Sequence, residues 1–583
     1  MKVTIIKKTK HPPKLPPNLQ NYLSTYKSFS YSKAKKEIDY FDGKLNAAYN
    51  AIERNAISER KNKIALYWIS TDEQKTKFTF KELNDLTNKF ANILHSLNVD
   101  QGDRVFFFLS RVPELYYGFL GTLKRGAIAG TMFAAFGHQA IQDRLGNSDA
   151  KVLVTEPDLF PRVKKIAHTL PALKIILIVG DPKKASRLKI SGKKVISLTK
   201  LITEESTKYK TKMLKPDAHA FMLYTSGTTG KPKGVVHTHQ AILHEHISAK
   251  FVLDLKEDDV YWCTADPGWV TGIAYEILGS WSNGASTVVH QGRFDPNTWY
   301  QMIQDYKVTV WYTAPTAIRM LQASGDKIVK KYDLSSLRHL ASVGEPLNPE
   351  PIKWGLKVFK LPFHDNWWQT ETGGILIANY ASMDIKAGSM GKPLPGITAA
   401  IVDDKGKKLG CNKEGHLAIK PGWPSMMKTI WRRPKKYKSY FNKGWYISGD
   451  RAFIDKDGYF WFIGRADDVI KTAGERVGPF EVESALVEHP DIIEAGVIGK
   501  PDKLRGEIIK AFVKLKPGIH SSDTLKAQIQ RFIKSHLAGH AYPREIEFVD
   551  KLPKTRSGKI MRRLLKAREL GLPTGDTSTL QEY

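Results

Sequence analysis

Between about residues 62 and 380 the chain repeats one rhythm, a short β-rich apolar run followed by a helical pattern. From 62 to 215 the runs Arg104–Leu109, 151–155 and 174–179 alternate with helical stretches such as 80–97. A second cycle fills 217–380, with strands ending at Tyr224, near Thr264, at Val288, at Trp311 and near Val343. Strands that read as unbroken apolar runs and are separated by helices belong to parallel sheets covered on both faces. At 583 residues the chain exceeds what one hydrophobic core holds, so several domains are expected. From about 385 to 465 the texture changes to short β segments and turns, a small β-barrel or meander, and then an α+β pattern runs to the end. The expected class is α/β: a large N-terminal domain of two βαβ subdomains plus that barrel, then a smaller α+β C-terminal domain. The boundaries read as a basic arm and capping segment over 1–40, the large domain over 41–466 and the small one over 467–583.

Net charge is +31, and residues 1–36 carry nine lysines and no acid. A basic surface of this size serves anionic substrates or nucleic acid. No RNA-recognition, zinc-finger or helix-turn-helix signature accompanies it, so no nucleic-acid partner is expected. No apolar run approaches the roughly 18 residues of a bilayer span, and the N-terminal MKVTIIKKTKHPPKLPP lacks the apolar core of a signal peptide. Two cysteines, Cys263 and Cys411, leave no disulfide framework. The expected location is the cytoplasm, without a membrane partner.

The densest chemistry lies at 224–234, YTSGTTGKPKG. It is not a Walker A loop: the register puts Thr225 where the first glycine belongs and Pro232 where the metal-binding hydroxyl belongs. No G-x-G or G-x-S-x-G occurs anywhere, which removes the dinucleotide fingerprint, the kinase loop and the nucleophile elbow. What remains is a turn whose amides, hydroxyls (Thr225, Ser226, Thr228, Thr229) and Lys233 can wrap a polyphosphate. Four histidines follow, at 237, 239, 244 and 246, but H-E-x-x-H fails at Ser248. They read as a helical, partly exposed group rather than a metal site.

The loop resembles the phosphate motif of adenylate-forming enzymes, the superfamily of acyl-CoA synthetases, luciferases and peptide-synthetase adenylation domains. The companion motifs of that family follow in order: SVGEP at 342–346, DNWWQTETGG at 365–374, YISGD at 446–450, GRADD at 464–468 and PKTRSGK at 553–559. The likeness runs from about residue 20 to 570. The segment ADPGWVTG at 265–272, the paired tryptophans and GPFEVES at 478–484 are most similar to the AMP-forming acetyl-CoA synthetases of the shorter bacterial type.

The resemblance implies two half-reactions, acetate with ATP to give acetyl-adenylate and diphosphate, then transfer of acetyl to coenzyme A with release of AMP. It implies ATP, coenzyme A and Mg2+ as cofactors, and a mobile C-terminal domain hinged at Asp467. Lys559 would be the catalytic cation. ATP and AMP would be held by Thr225, Ser226, Gly227, Thr228, Thr229 and Lys233, by the adenine turn Gly344, Glu345 and Pro346, and by Asp365, Asn366, Trp367, Trp368, Gln369 and Thr370. Asp450 and Arg465 would grip the ribose, and Arg476 would meet a phosphate. Val270, Thr271, Val343 and Trp368 would line the acetate pocket, Trp368 standing where longer-chain relatives carry glycine. Coenzyme A would meet Thr271, Ala473, Gly474 and Lys534, although Ala473 replaces a common serine and Asn366 a common threonine. Glu371 would hold the magnesium ion, and Val487, His489 and Ile492 a further cation. A lysine acetyltransferase and deacetylase acting on Lys559 are implied partners. A propionyl or medium-chain ligase stays open as an alternative; an amino-acid adenylation domain would want an acid for the substrate amine, and the matched pocket is apolar.

Overall fold

The fold is that of a computed structural model, which describes residues 3–225, 232–472, 475–502, 504–537, 541–555, 559–574, 577 and 580, with the backbone alone described at Arg476. Among the described residues two large sheets dominate. The first has eight strands in the order Thr429–Ile430, Lys233–Thr238, His219–Thr225, Ile128–Phe133, Arg104–Leu109, Val152–Thr155, Ile175–Ile178, Lys194–Ser197. Its interior is parallel, and only Lys233–Thr238 runs against the rest, pairing antiparallel with both its neighbours. Arg104–Leu109 is buried from Val105 onward, as the unbroken run of valine, phenylalanine and leucine requires of a strand covered on both faces. The covering helix Phe80–Ser96 starts at a capping box, in which Thr79 and Glu82 satisfy each other's backbone amides.

The second sheet has nine strands, and it corrects the division of the chain at residue 216. Ile64–Ile69 and Lys75–Thr79, N-terminal in sequence, pair at the edge of this sheet, where Leu66 lies beside Thr287. Conversely, His219–Thr225 and Lys233–Thr238 complete the first sheet rather than opening the second. Local alternation specifies which segments are strands, whereas sheet membership follows from which apolar faces meet, and successive strands are neighbours only about two-thirds of the time.

The small β unit is a five-stranded antiparallel sheet that starts at Ala399–Val402, not at 385. The earlier pieces are claimed elsewhere: Ile385–Lys386 pairs with Ile5–Ile6, and Lys392–Pro393 joins the second sheet. C-terminal to it, five strands and the helices Pro479–Val487, Asp523–His536 and Arg562–Glu569 enclose a separate core of Val482, Leu486, Val497, Ile509, Ile529 and Ile533. The N-terminal arm is docked: Tyr22 and Tyr26 donate to the carbonyls of Pro393 and Ile397, and Tyr31 shares a 2.6 Å hydrogen bond with His244 Nδ1. No helix among the described residues is long and apolar enough to cross a membrane.

Candidate active site

The phosphate-loop motif is a β-hairpin connection. Thr225 ends one strand, Lys233 begins the next, and the two residues face each other across the antiparallel pair. Ser226, Gly227, Thr228 and Thr229 lie outside the described residues. At the mouth of the hairpin Thr225 Oγ1 is buried and has no partner among the described residues. Lys233 Nζ donates to the Tyr440 hydroxyl at 2.7 Å and lies 3.6 Å from Glu371 Oε1. Tyr440 in turn donates to Glu371 Oε1 at 2.9 Å. Burial pulls the Lys233 ammonium below its ordinary value, and Glu371 opposes that fall. Tyr440 went unseen in the sequence because no motif marks it; the signal available was its place beside the basic 432–438 run, two residues before the turn into Trp445.

The turn Val343–Pro346 sits just beyond the C-terminal end of the parallel strand His339–Ser342, where open α/β sheets bind ligands. Gly344 takes φ +95°, a left-handed value that favours glycine. Glu345 is fixed from behind by Thr316 at 2.9 Å and Arg319 at 3.0 Å. On the neighbouring strand, Asp365 and Asn366 are buried and spend polar atoms on the protein. Asp365 Oδ2 accepts from the Leu347 amide at 3.1 Å, directly after that turn, and burial pushes this carboxyl up to about 8. Asn366 accepts from Tyr312 and donates to Ser342 O.

Asp450 is the best-connected carboxylate of the cleft. Trp367 Nε1 donates to its Oδ2 at 2.9 Å, Gln369 Nε2 reaches the same oxygen at 3.2 Å, and Arg465 Nη1 pairs with Oδ1 at 2.9 Å. Burial raises its pKa, opposed chiefly by Arg465. Asp450 and Arg465 are opposite each other on paired strands, and Arg465 also faces Asp467 at 3.6 Å. Lys559 comes from the C-terminal unit to this pair. Its loop is closed by Thr555 N to Lys559 O at 2.7 Å and Lys559 N to Thr555 Oγ1 at 3.1 Å. The side chain is exposed at the cleft surface. Surrounding protein atoms, and then Arg465, pull its pKa below the lysine value of 10.5, while Asp450 and Asp468 act the other way. A second bridge between the units is Asn348 Nδ2 to Ser484 Oγ at 2.7 Å.

Val270, Thr271 and Val343 are buried and Trp368 is half-buried. Trp368 packs against both clusters that contain Val270 and Val343. Tyr275 meets its ring edge-on, with centroids 5.1 Å apart and planes at 88°, which fixes the indole. Behind the 265–272 loop, Arg111 donates to Thr264 O at 2.6 Å and Thr131 to Pro267 O at 2.6 Å.

The remaining expectations fare differently. Ala473 and Gly474 lie outside the described residues, as does the Arg476 side chain. Lys534 is exposed on the helix Asp523–His536, with its ammonium over the Tyr542 ring. Val487, His489 and Ile492 lie along the link from the helix Pro479–Val487 to the strand Ile492–Asp502, where the His489 carbonyl accepts from Ile492 N at 3.1 Å. The four histidines after the loop depart from expectation: His237 is on a strand, all four are buried, and desolvation holds each below the ordinary value. The apolar run around them, which reads equally as a buried segment, was the better guide.

Residues 52–431 match the AMP-binding enzyme family, and 481–559 match the AMP-binding enzyme C-terminal domain. Acetyl-coenzyme A synthetase of Bacillus subtilis (strain 168) is 56% identical over 568 residues, covering 97% of this chain and 98% of its own length. The enzyme of the same name from Methanothrix thermoacetophila is 42% identical over 93% of this chain and 85% of its own. Among solved structures, an acyl-CoA synthetase of Brucella canis aligns with a TM-score of 0.74 at 35% identity, over 95% of this chain and 99% of that one. The anthranilate CoA ligase AuaEII in complex with anthranoyl-AMP aligns with a TM-score of 0.84 at 30% identity, over 93% and 99%.

Proposed function

The chain belongs to the family of AMP-binding enzymes, and from that membership we propose how its residues divide the reaction it carries out, the ligation of acetate to coenzyme A through an acetyl-adenylate. In the first half-reaction an acetate oxygen attacks the α-phosphorus of ATP and diphosphate leaves. In the second, the coenzyme A thiol attacks the acetyl carbon and AMP leaves. Neither step needs an enzyme nucleophile; both need placement and charge stabilisation. The observation that carries the assignment is that Lys559, from the C-terminal unit, lies within range of the charges of the Asp450–Arg465 pair.

Asp450 grips the ribose hydroxyls, held in place by Trp367, Gln369 and Arg465. Gly344–Pro346 flanks the adenine, with Asp365 supporting the turn through Leu347. Thr225, Lys233 and Thr370 face the phosphates, and Lys559 meets charge building on the α-phosphate. Glu371 fits a magnesium ligand: its Oε2 has no protein partner among the described residues, and magnesium takes one or two carboxylates plus phosphate oxygens. When bound, the ion neutralises charge on the leaving diphosphate. Tyr440 orients both Lys233 and Glu371. Tyr440→Phe should raise the ATP KM by roughly 5–10-fold, the loss of about 1–1.5 kcal/mol of hydrogen bonding, while the acetate KM stays within about twofold. Equal changes in both constants would show that Tyr440 acts on the fold instead.

Rotation about Asp467 would exchange Lys559 for the 472–476 segment between half-reactions. Acetylation of the exposed Lys559 would remove its charge and stop adenylation, which makes it a target for an acetyltransferase and a deacetylase. Two free cysteines suit a reducing cytoplasm. The decisive assay is exchange of labelled diphosphate into ATP: it should depend on acetate, and equal exchange with hexanoate would overturn the acetate assignment.

A further inference from the structure

Where the N-terminal arm crosses the second sheet it roofs a small cavity of about 20 Å3, room for a single water-sized particle. Half of its lining residues are basic, Lys8, His11, Arg338, His339, Lys360 and His364, and the rest are proline, leucine and alanine. No lining side chain offers a carboxylate, amide or hydroxyl oxygen. Arg338 spends four of its five N–H groups on Asp254 and Asp259. Both imidazoles are neutral and stacked 4.3 Å apart, with His339 bonded to Val252 O and His364 Nδ1 to Leu340 O. Lys360 reaches the Lys357 carbonyl.

Lys8 is different. Its ammonium carries three N–H groups and finds one acceptor among the described residues, His364 Nε2 at 2.9 Å. The nearby Asp384 accepts from the Lys8 backbone amide and from Lys7 Nζ, and the Lys8 ammonium makes no hydrogen bond to it among the described residues. Burial lowers the Lys8 pKa to about 8 despite Asp384, the mark of a cation short of compensation. Among the lining side chains, a water here would find acceptors for its hydrogens only in unprotonated imidazole nitrogens such as His339 Nδ1, whereas charged donors line the same space. An anion needs only donors, and the cavity is too small for an oxyanion such as phosphate.

We propose that this cavity binds one small monatomic anion of the halide class, held by Lys8 and fastening the arm to the strand Phe363–Trp367 through His364. That strand also carries Trp367, the partner of Asp450, so occupancy bears on the order of the nucleotide site. The probe is bromide. Crystals of the full chain grown in bromide should show an anomalous peak beside Lys8 Nζ. In solution, bromide or chloride should raise the thermal midpoint by roughly 2–4 °C over gluconate at equal ionic strength, and Lys8→Met should abolish that difference. A water in place of bromide overturns the proposal. So does a halide effect that survives in Lys8→Met, which would leave an adventitious ion only.

Discussion

Lys559→Ala should slow acetate-dependent adenylation by roughly 100- to 1000-fold, the cost of removing one preorganised charge from a transition state, about 3–4 kcal/mol. The same variant should still convert supplied acetyl-adenylate and coenzyme A to acetyl-CoA at close to the parental rate. The asymmetry follows from the proposed division of roles: Lys559 feels the charges of Asp450 and Arg465, the proposed ribose clamp, and its main chain is bonded to Thr555 in a way that survives truncation of the side chain. Diphosphate exchange reads the first step and single-turnover thioester formation the second. Parallel loss of both would refute the assignment of Lys559 to one half-reaction. The pH profile provides a second readout. Because the pKa of Lys559 is depressed, its charge is lost on the alkaline side earlier than in an ordinary lysine. The alkaline limb of kcat/KM for adenylation should therefore lie below 10.5, and Lys559→Arg should move it upward.

Trp368→Gly should invert the order of acids. In the parent, an added methylene meets an indole braced by Tyr275, and rigid overpacking costs about 1–3 kcal/mol. Removing the ring opens a cavity that longer acyl chains fill, each methylene adding roughly 0.8 kcal/mol of burial. The expected result is a fall in kcat/KM for acetate of at least about tenfold, with butyrate and longer acids overtaking it. Persistent preference for acetate would place the selectivity elsewhere, with Val270 and Val343 the next residues to enlarge. A stability control belongs with this variant, since Trp368 joins two hydrophobic clusters.

The parts of the site written in contiguous motifs could be read in advance. SVGEP begins at the end of the strand His339–Ser342, and YISGD places Asp450 within the strand Trp445–Ile454, opposite Arg465. Tyr440 was illegible because its role arises from pairing, Phe441 lying beside Tyr446, which no local pattern encodes. Asp365 and Asn366 belong to a genuine motif, yet alternation along a strand cannot tell a residue facing ligand from one bracing the turn behind it. The strands themselves were visible as apolar runs; their allocation between sheets was not, because burial on both faces removes the alternation that would mark an orientation.

That allocation bears on how the protein is made. Ile64–Ile69 finds its parallel neighbour, Ser286–His290, only after roughly 220 more residues, and the first sheet takes its last edge strand from Thr429–Ile430. At about 5–20 residues per second, the early apolar strands leave the ribosome many seconds before their partners. During that interval the lysines spread through residues 1–216 keep the nascent chain mutually repelling. The net charge of +31 thus bears on the unfolded chain as well as on the folded surface.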